Sequence, residues 1–237
     1  MIVDAHNHIG KRKGLTFLAE DLLKRMDKAG VDQCVVMSHS ESIDNDYIAQ
    51  AVKKHPDRLI GFAVVNPWDE ASEDDLRRCV EDLRFEGLWL HPVRHGYHFD
   101  DHDLLDPLCE ICSCAGIPII GHGTSNVPCI PNHFGEMAQT FPDVPFIISH
   151  MGYMYETNAA MSVAARNANI YLEMSGVFVR QIGKSLREVG AKKLLLGTNS
   201  PEGDFEFEIR KIELSTSDPE ERNLMLGQNI LRILGRS

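Results

Sequence analysis

The sequence predicts an α/β fold: a (β/α)8 barrel of parallel strands with an outer ring of helices, formed by residues 1–237 as one domain. Three observations predict it. Eight short, bulky, nearly continuous apolar runs recur along the chain, as expected of strands buried on both faces. From the second onward they begin at residues 31, 59, 87, 117, 145, 169 and 193, gaps too long for a hairpin and long enough for a crossover helix. The turn after the first run, Asp4-Ala5-His6-Asn7-His8-Ile9-Gly10, is unlike the glycine-rich phosphate loop that a doubly wound open sheet normally carries there.

The elements follow in order. Residues 1–5 are the first strand, and Thr16 opens a helical pattern of Leu18, Leu22 and Met26 that Gly30 stops. Residues 31–37 and 59–65 are the second and third strands. A helix over 72–85 places Leu76, Cys79, Val80 and Leu83 on one face, and 87–91 is the fourth strand. Asp106-Pro107 opens a helix that runs to Ala115-Gly116, and strands follow at 117–121, 145–149, 169–174 and 193–197. Asp218-Pro219-Glu220-Glu221 starts the last helix, with Asp as N-cap, Pro at the first helical position and Glu in the first turn. Leu224, Leu231 and Leu234 give that helix its apolar stripe.

Composition narrows the function classes. The chain is 43% apolar and 25% charged, ordinary for a globular domain. Its 24 basic and 35 acidic residues give a net charge of −11, which argues against a nucleic-acid surface. No apolar run approaches the roughly 20 residues of a membrane span. Strand-like sequence from Ile2 leaves nothing to cleave as a leader, and six cysteines in a chain this size do not suggest a secreted disulfide framework. The expectation is a cytoplasmic protein with reduced thiols, acting on a small molecule, with neither nucleic acid nor membrane as partner.

The histidines carry the chemistry. Of eleven, six fall at or just past strand C-termini: His6, His8, His39, His91, His122 and His150. His95, His98 and His102 lie on the loop after the fourth strand, and only His55 and His133 fall elsewhere. In a barrel all strand C-termini meet on one face, and that face holds the active site. His6 and His8, two apart in extended chain, point to one side, with Asp4 on the same side as a brace. Paired imidazoles joined by others from later strands suit a divalent metal.

The ordered motifs resemble the amidohydrolase superfamily, in its amidohydrolase 2 branch of metal-dependent TIM-barrel hydrolases and decarboxylases. They are Asp4-Ala5-His6-Asn7-His8, Arg58-Leu59-Ile60-Gly61-Phe62 leading to Asn66-Pro67, and Gly87-Leu88-Trp89-Leu90-His91-Pro92. Gly121-His122, Ser149-His150-Met151-Gly152, Gly197-Thr198-Asn199-Ser200-Pro201 and the closing Gln228-Asn229-Ile230-Leu231-Arg232-Ile233-Leu234 complete them. The resemblance implies that His6, His8 and His122 ligate the metal, and that His150 is a further ligand or orients and polarises the attacking water. It implies an acidic residue at position 199, touching the metal and serving as general base. Trp89 and His91 stand where two-metal relatives have a carboxylate or carboxylated lysine, so one metal is expected, zinc first, with manganese or iron as alternatives.

Asn199 departs from that pattern. Its amide can offer an oxygen to a metal but cannot take a proton as a carboxylate does. Three readings follow: another base (Glu173, Glu202, Asp204 or His150), a substitution that traps an inactive complex, or a binding relative that lost the chemistry. Asn199 is still counted with the metal ligands and, beside His150, with the catalytic residues. Trp89, His91, Arg94 and Tyr153 form the expected substrate-binding set.

Other features are weighed alongside. Cys109-x-x-Cys112-x-Cys114 lacks a second pair and reads as inert helix, and Cys34 as core. Lys11-Arg12-Lys13 reads as a solvated loop or an attractor of anions, and Arg94 and Arg180 as carboxylate clamps. Trp89 stacks on a planar substrate or fills the barrel, and Tyr97, Tyr153 and Tyr155 line the active face. The leading expectation is a hydrolase in which metal-activated water attacks a carbonyl-type carbon of a small, anionic substrate. The alternatives are a non-oxidative decarboxylase of a small carboxylate and a catalytically impaired metal- or ligand-binding relative. A homodimer is left open.

Overall fold

A computed structural model describes residues 1–236. Eight parallel strands alternate with helices: β1 (Val3–His8), β2 (Gln33–Met37), β3 (Leu59–Gly61, resuming after Phe62 as Ala63–Val64) and β4 (Leu88–Leu90). Then come β5 (Ile119–His122), β6 (Phe146–Ser149), β7 (Ile170–Glu173) and β8 (Leu194–Leu195). Neighbours pair in parallel from β1 to β3 and from β3 to β8. The ring closes between last and first strand through Ala5 N–H to Leu196 O (2.9 Å), Asn199 N–H to His6 O (2.8 Å) and His8 N–H to Ser200 O (2.7 Å). The barrel predicted from the spacing is the fold observed.

Strand alternation divides the core in two. Val35, Ile60, Trp89, Ile120, Ile147 and Leu195 fill the barrel interior. Their neighbours Cys34, Leu59, Leu88, Ile119, Phe146 and Leu194 face outward into the layer beneath the helices. That layer is covered by α1 (Ala19–Ala29), α2 (Asn45–Lys54), α3 (Ser72–Glu81), α4 (His102–Ala115), α5 (Pro131–Thr140), α6 (Thr157–Arg166), α7 (Val179–Glu188) and α8 (Phe205–Ser215). Aspartate side chains cap several: Asp44 accepts from Tyr47 N–H, Asp101 from Leu104 N–H and Asp204 from Phe207 N–H.

Local readings are corrected in four places. Thr16 belongs to a short antiparallel hairpin (Gly10–Arg12 with Leu15–Phe17), and α1 starts at Ala19, where Asp21 accepts from Leu18 N–H. The first strand extends to His8, so the His pair lies within it. The helix predicted to open at Asp106-Pro107 begins at His102, with Asp101 as the cap and Pro107 inside. The final helix is broken into Pro219–Asn223, a wide turn Leu224–Gln228, and Asn229–Ile233. Gly227 causes the break: a Cβ there would stand 2.9 Å from Met1 O and 3.0 Å from Val3 N. Ile230 and Leu231 then reach the barrel interior, with Asn229 Nδ2 donating to Ala191 O and Leu194 O.

Candidate active site

Inward positions recur every second residue, so each strand delivers its next inward side chain to the C-terminal face. Ile120 leads to His122, Trp89 to His91, Tyr171 to Glu173 and Met37 to His39. β1 reaches the same face through a bulge: Asp4 pairs with Cys34 but Asn7 with Val36, one extra residue on β1. The bulge aims His6 inward, and His8 follows two residues on. Asp4 holds it, its Oδ1 accepting from His6 N–H (2.9 Å) and Asn7 Nδ2 (2.8 Å). Asp4 therefore braces the backbone of the bulge, not the imidazoles as expected.

The brace on the imidazoles is Glu173, fully buried. Its Oε2 accepts from His6 Nδ1 (3.0 Å), His150 N–H (3.1 Å) and Ser175 Oγ (2.9 Å), and its Oε1 accepts from Ser175 N–H. Burial works to raise its pKa, but the hydrogen bond from His6 and the contacts with His6 and His150 outweigh it and hold the carboxyl below its ordinary range. Glu173, His6 and His150 lie close enough to share an ion. Both its oxygens are engaged, so Glu173 braces the His6 ring and the backbone at His150. Gly197 makes room for it, since a Cβ there would collide with Glu173 Oε1.

His8 Nδ1 is likewise anchored, 3.1 Å from Ser38 O. With both Nδ1–H groups donated outward, the Nε2 lone pairs of His6 and His8 face each other at 3.2 Å. Two lone pairs so close repel unless a proton or a cation lies between them. Nitrogens each about 2.0–2.1 Å from one ion stand roughly 3–3.5 Å apart, so this donor set fits a divalent metal. Burial first, then neighbouring imidazoles, push His8 and His122 well below the usual histidine value. Burial takes His150 to about 4 and, with Arg94 beside it, His91 to about 3. All four are neutral at pH 7, as metal ligation requires.

The cavity over this centre measures about 160 Å³ and is lined by the imidazoles of His8, His39, His91, His122 and His150, with Trp89, Asn199, Arg12 and Arg94. His122 stacks on His91 (4.1 Å between centroids) and lies 5.1 Å from His150, itself 5.3 Å from His6. Trp89, 1% exposed, closes the floor with Nε1 on Ser40 Oγ (2.9 Å) and its ring 4.7 Å from His6. At the mouth, Arg12 pairs with Glu41 (3.4 Å) and Glu202, and Arg94 lies 3.8 Å from Glu41. Five non-glycine residues have positive φ, and four of them (His150, Met151, Tyr153 and Asn199) stand on the two loops beside this cavity.

Not every expected residue meets there. Tyr153, at φ 51°, is turned out of the His-lined cavity into an adjoining groove, 6.5 Å from the His150 ring and 41% exposed. Tyr97 is buried in the outer core, Tyr155 is 77% exposed, and Arg180 is an exposed residue of α7. Arg12, Glu41 and Ser175 escaped the sequence reading of the site. Arg12 stood in view as part of a basic run, whereas Glu41 and Ser175 carried no local signal. Cys34, Cys109 and Cys112 are buried free thiols.

The chain is thus a TIM barrel with an imidazole-rich centre at its C-terminal face. The amidohydrolase family model (Amidohydro_2) matches residues 3–236, and the chain belongs to that family. A 2-amino-3-carboxymuconate-6-semialdehyde decarboxylase of Dictyostelium discoideum is 34% identical over 79 residues, which are 33% of this chain and 22% of that one. The chain thus matches about a fifth of that relative's length. Among solved structures, an uncharacterised TIM-barrel protein of Bordetella bronchiseptica superimposes with a TM-score of 0.84 at 20% identity, covering 99% of this chain and 98% of that one. A dihydroxybenzoic acid decarboxylase of Polaromonas sp. JS666, with bound manganese and the inhibitor 2-nitroresorcinol, gives 0.79 at 17% identity, covering 99% and 96%. No helix among the described residues is long and apolar enough to cross a membrane.

Proposed function

We propose that this protein is a metal-dependent, non-oxidative decarboxylase of a small aromatic or conjugated carboxylate. The observation that carries it is the absence of a free carboxylate base in the described cavity. Glu173 is engaged at both oxygens, position 199 is an amide, and Glu41 and Glu202 are paired with Arg12. Hydrolysis, the leading sequence expectation, would have to draw its base for the attacking water from the imidazoles, and burial makes His150 and His91, at about 4 and about 3, weak bases. Decarboxylation needs no activated water, only a site for the departing carboxylate and a proton for the carbon left behind. The decarboxylases among the relatives support the same choice.

The cavity's size agrees. An engineered apolar cavity of about 150 Å³ holds benzene, so about 160 Å³ admits one six-membered ring. His6, His8 and His122, with the Asn199 amide oxygen, are the residues that would hold the metal. Their nitrogen-rich donor set favours zinc, and manganese is the ion in the Polaromonas relative. A bound divalent ion supplies Lewis-acid stabilisation of developing negative charge on substrate oxygens.

The chain's own groups do the rest. Trp89 and the stacked His91 and His122 rings offer planar surfaces to the substrate ring. Arg94, with Arg12 beside it, binds anionic substituents at the mouth, because the guanidinium fork matches a carboxylate. The bond from ring to carboxylate breaks, carbon dioxide leaves, and the electron pair left on the ring carbon takes a proton. That proton comes from solvent water at the cavity mouth, beside the His150 ring, which is neutral at pH 7 and which Ser175 Oγ orients at 2.8 Å from Nδ1.

The test is a panel of hydroxybenzoates and unsaturated dicarboxylates, incubated with protein reconstituted separately with zinc and manganese. Carbon dioxide release matching loss of acid is the expected result. Hydrolysis of ester or lactone substrates without carbon dioxide would overturn it. Asn199 itself favours a second reading, a ligand-binding relative, whose mark is stoichiometric carboxylate binding with no turnover across the same panel.

A further inference from the structure

We propose that His98, Asp100 and His133 form a second, surface site for a zinc-type transition metal, outside the central cavity. One ligand atom from each lies within 4.8 Å of the others. The two imidazole rings are 5.3 Å apart between centroids, and His133 Nδ1 is 3.6 Å from Asp100 Oδ1.

A buried aromatic pair builds the cluster. His98 and Asp100 flank Phe99, and His133 precedes Phe134. Phe99 and Phe134 are fully buried and stack at 3.7 Å between centroids. Phe99 N–H donates to Pro128 O at 2.9 Å, and that same carbonyl lies 3.4 Å from His133 Nδ1. The backbone that carries the three donors is therefore fixed by packing before any ion arrives. The donors themselves reach solvent, with Asp100 34% and His133 15% exposed, so small side-chain rotations suffice to close on an ion.

Two imidazole nitrogens and one carboxylate oxygen form a borderline donor set. It suits zinc, cobalt, nickel or copper, and not calcium or magnesium, which prefer oxygen alone. Three protein ligands leave the fourth position to water. The ligands come from two segments, the loop entering α4 and the first turn of α5. An ion would therefore clip together the excursions that follow β4 and β5, the strands ending at Leu90 and His122. Phe99 also packs directly on β5, where Gly121 leaves no room for a Cβ.

The test titrates untagged, metal-stripped protein with zinc and cobalt by calorimetry and absorption spectroscopy. Wild type is expected to bind two equivalents, and His98→Ala/His133→Ala to retain only the central one. His6→Ala/His8→Ala is expected to retain only the surface one. Asp100→Ala should weaken the surface site at least about tenfold, the lower bound for losing even a supporting contact to a ligand. Zinc should also slow amide exchange over residues 97–101 and 127–133 in wild type and not in His98→Ala/His133→Ala. Equal stoichiometry in wild type and His98→Ala/His133→Ala, with unchanged exchange on zinc addition, would overturn the proposal.

Discussion

His6 Nδ1 meets Glu173 Oε2 at 3.0 Å across 167 residues of sequence, with both side chains wholly shielded from solvent. The contact fixes the tautomer of His6 and leaves its Nε2 lone pair facing His8. It also joins the first strand to the seventh, so the arrangement of the imidazoles depends on the barrel being closed.

Replacing that carboxylate tests its role. Glu173→Gln keeps the volume but sets an NH2 group against donors that now share the two oxygens. Metal affinity should fall by about 10–100-fold, the usual effect of losing a carboxylate behind a histidine ligand, with the far-ultraviolet spectrum unchanged. Calorimetric affinity equal to wild type would exclude the bracing role.

Asn199→Asp tests the departure from the family pattern. The side chain lines the cavity, while the backbone N–H is held by His6 O at 2.8 Å, so the substitution leaves the loop in place. A carboxylate beside a divalent ion is worth at least about 1.4 kcal/mol, so zinc and manganese should bind about tenfold tighter or more. Unchanged affinity would mean that position 199 does not face the metal.

The barrel was legible because buried parallel strands write themselves as apolar runs at crossover spacing, a signal that needs no tertiary context. The histidines were legible for the same reason: strand ends converge whatever the details. What could not be read depended on local shifts. The bulge that turns His6 inward is invisible in Asp4-Ala5-His6, and Asp4 looked like a brace because a regular strand would have put it on the same side. Tyr153 left the cavity because the left-handed run at His150 and Met151 redirects the chain. Glu173 carried a fair signal, a lone carboxylate two residues after Tyr171 in an apolar strand, but its engagement at both oxygens required the fold.

Acid should weaken the fold through the buried imidazoles. Burial lowers His150 from 6.5 to about 4 and His91 from 6.5 to about 3. Between those values the unfolded chain binds more protons than the folded one, so stability is full above about pH 6.5 and declines as the pH falls toward the folded-state values. Urea unfolding of metal-free protein from pH 7.5 to 4 should show this slope, reduced in His150→Asn. A slope identical in the variant would show that His150 does not contribute to it.

The last prediction concerns what holds the loop after Glu173. Lys211 and Glu208 form an ion pair on α8, with side chains 5% and 6% exposed. Lys211 Nζ also donates to Val177 O (2.8 Å) and Met174 O (3.4 Å), and Gly176 N–H donates to Glu208 Oε1 (3.4 Å). The pair thereby pins the segment that carries Ser175, the residue bridging Glu173 and His150. Removing one partner strands a buried charge, so Lys211→Ala should lower stability by about 3–5 kcal/mol, whereas replacing both by apolar residues of similar size should be far milder. Urea denaturation of Lys211→Ala and of Glu208→Leu/Lys211→Met measures the difference. The double variant should regain most of the lost stability yet bind metal more weakly than wild type, because the loop loses its polar anchors. A Lys211→Ala loss below about 1 kcal/mol would place the pair with ordinary surface ion pairs.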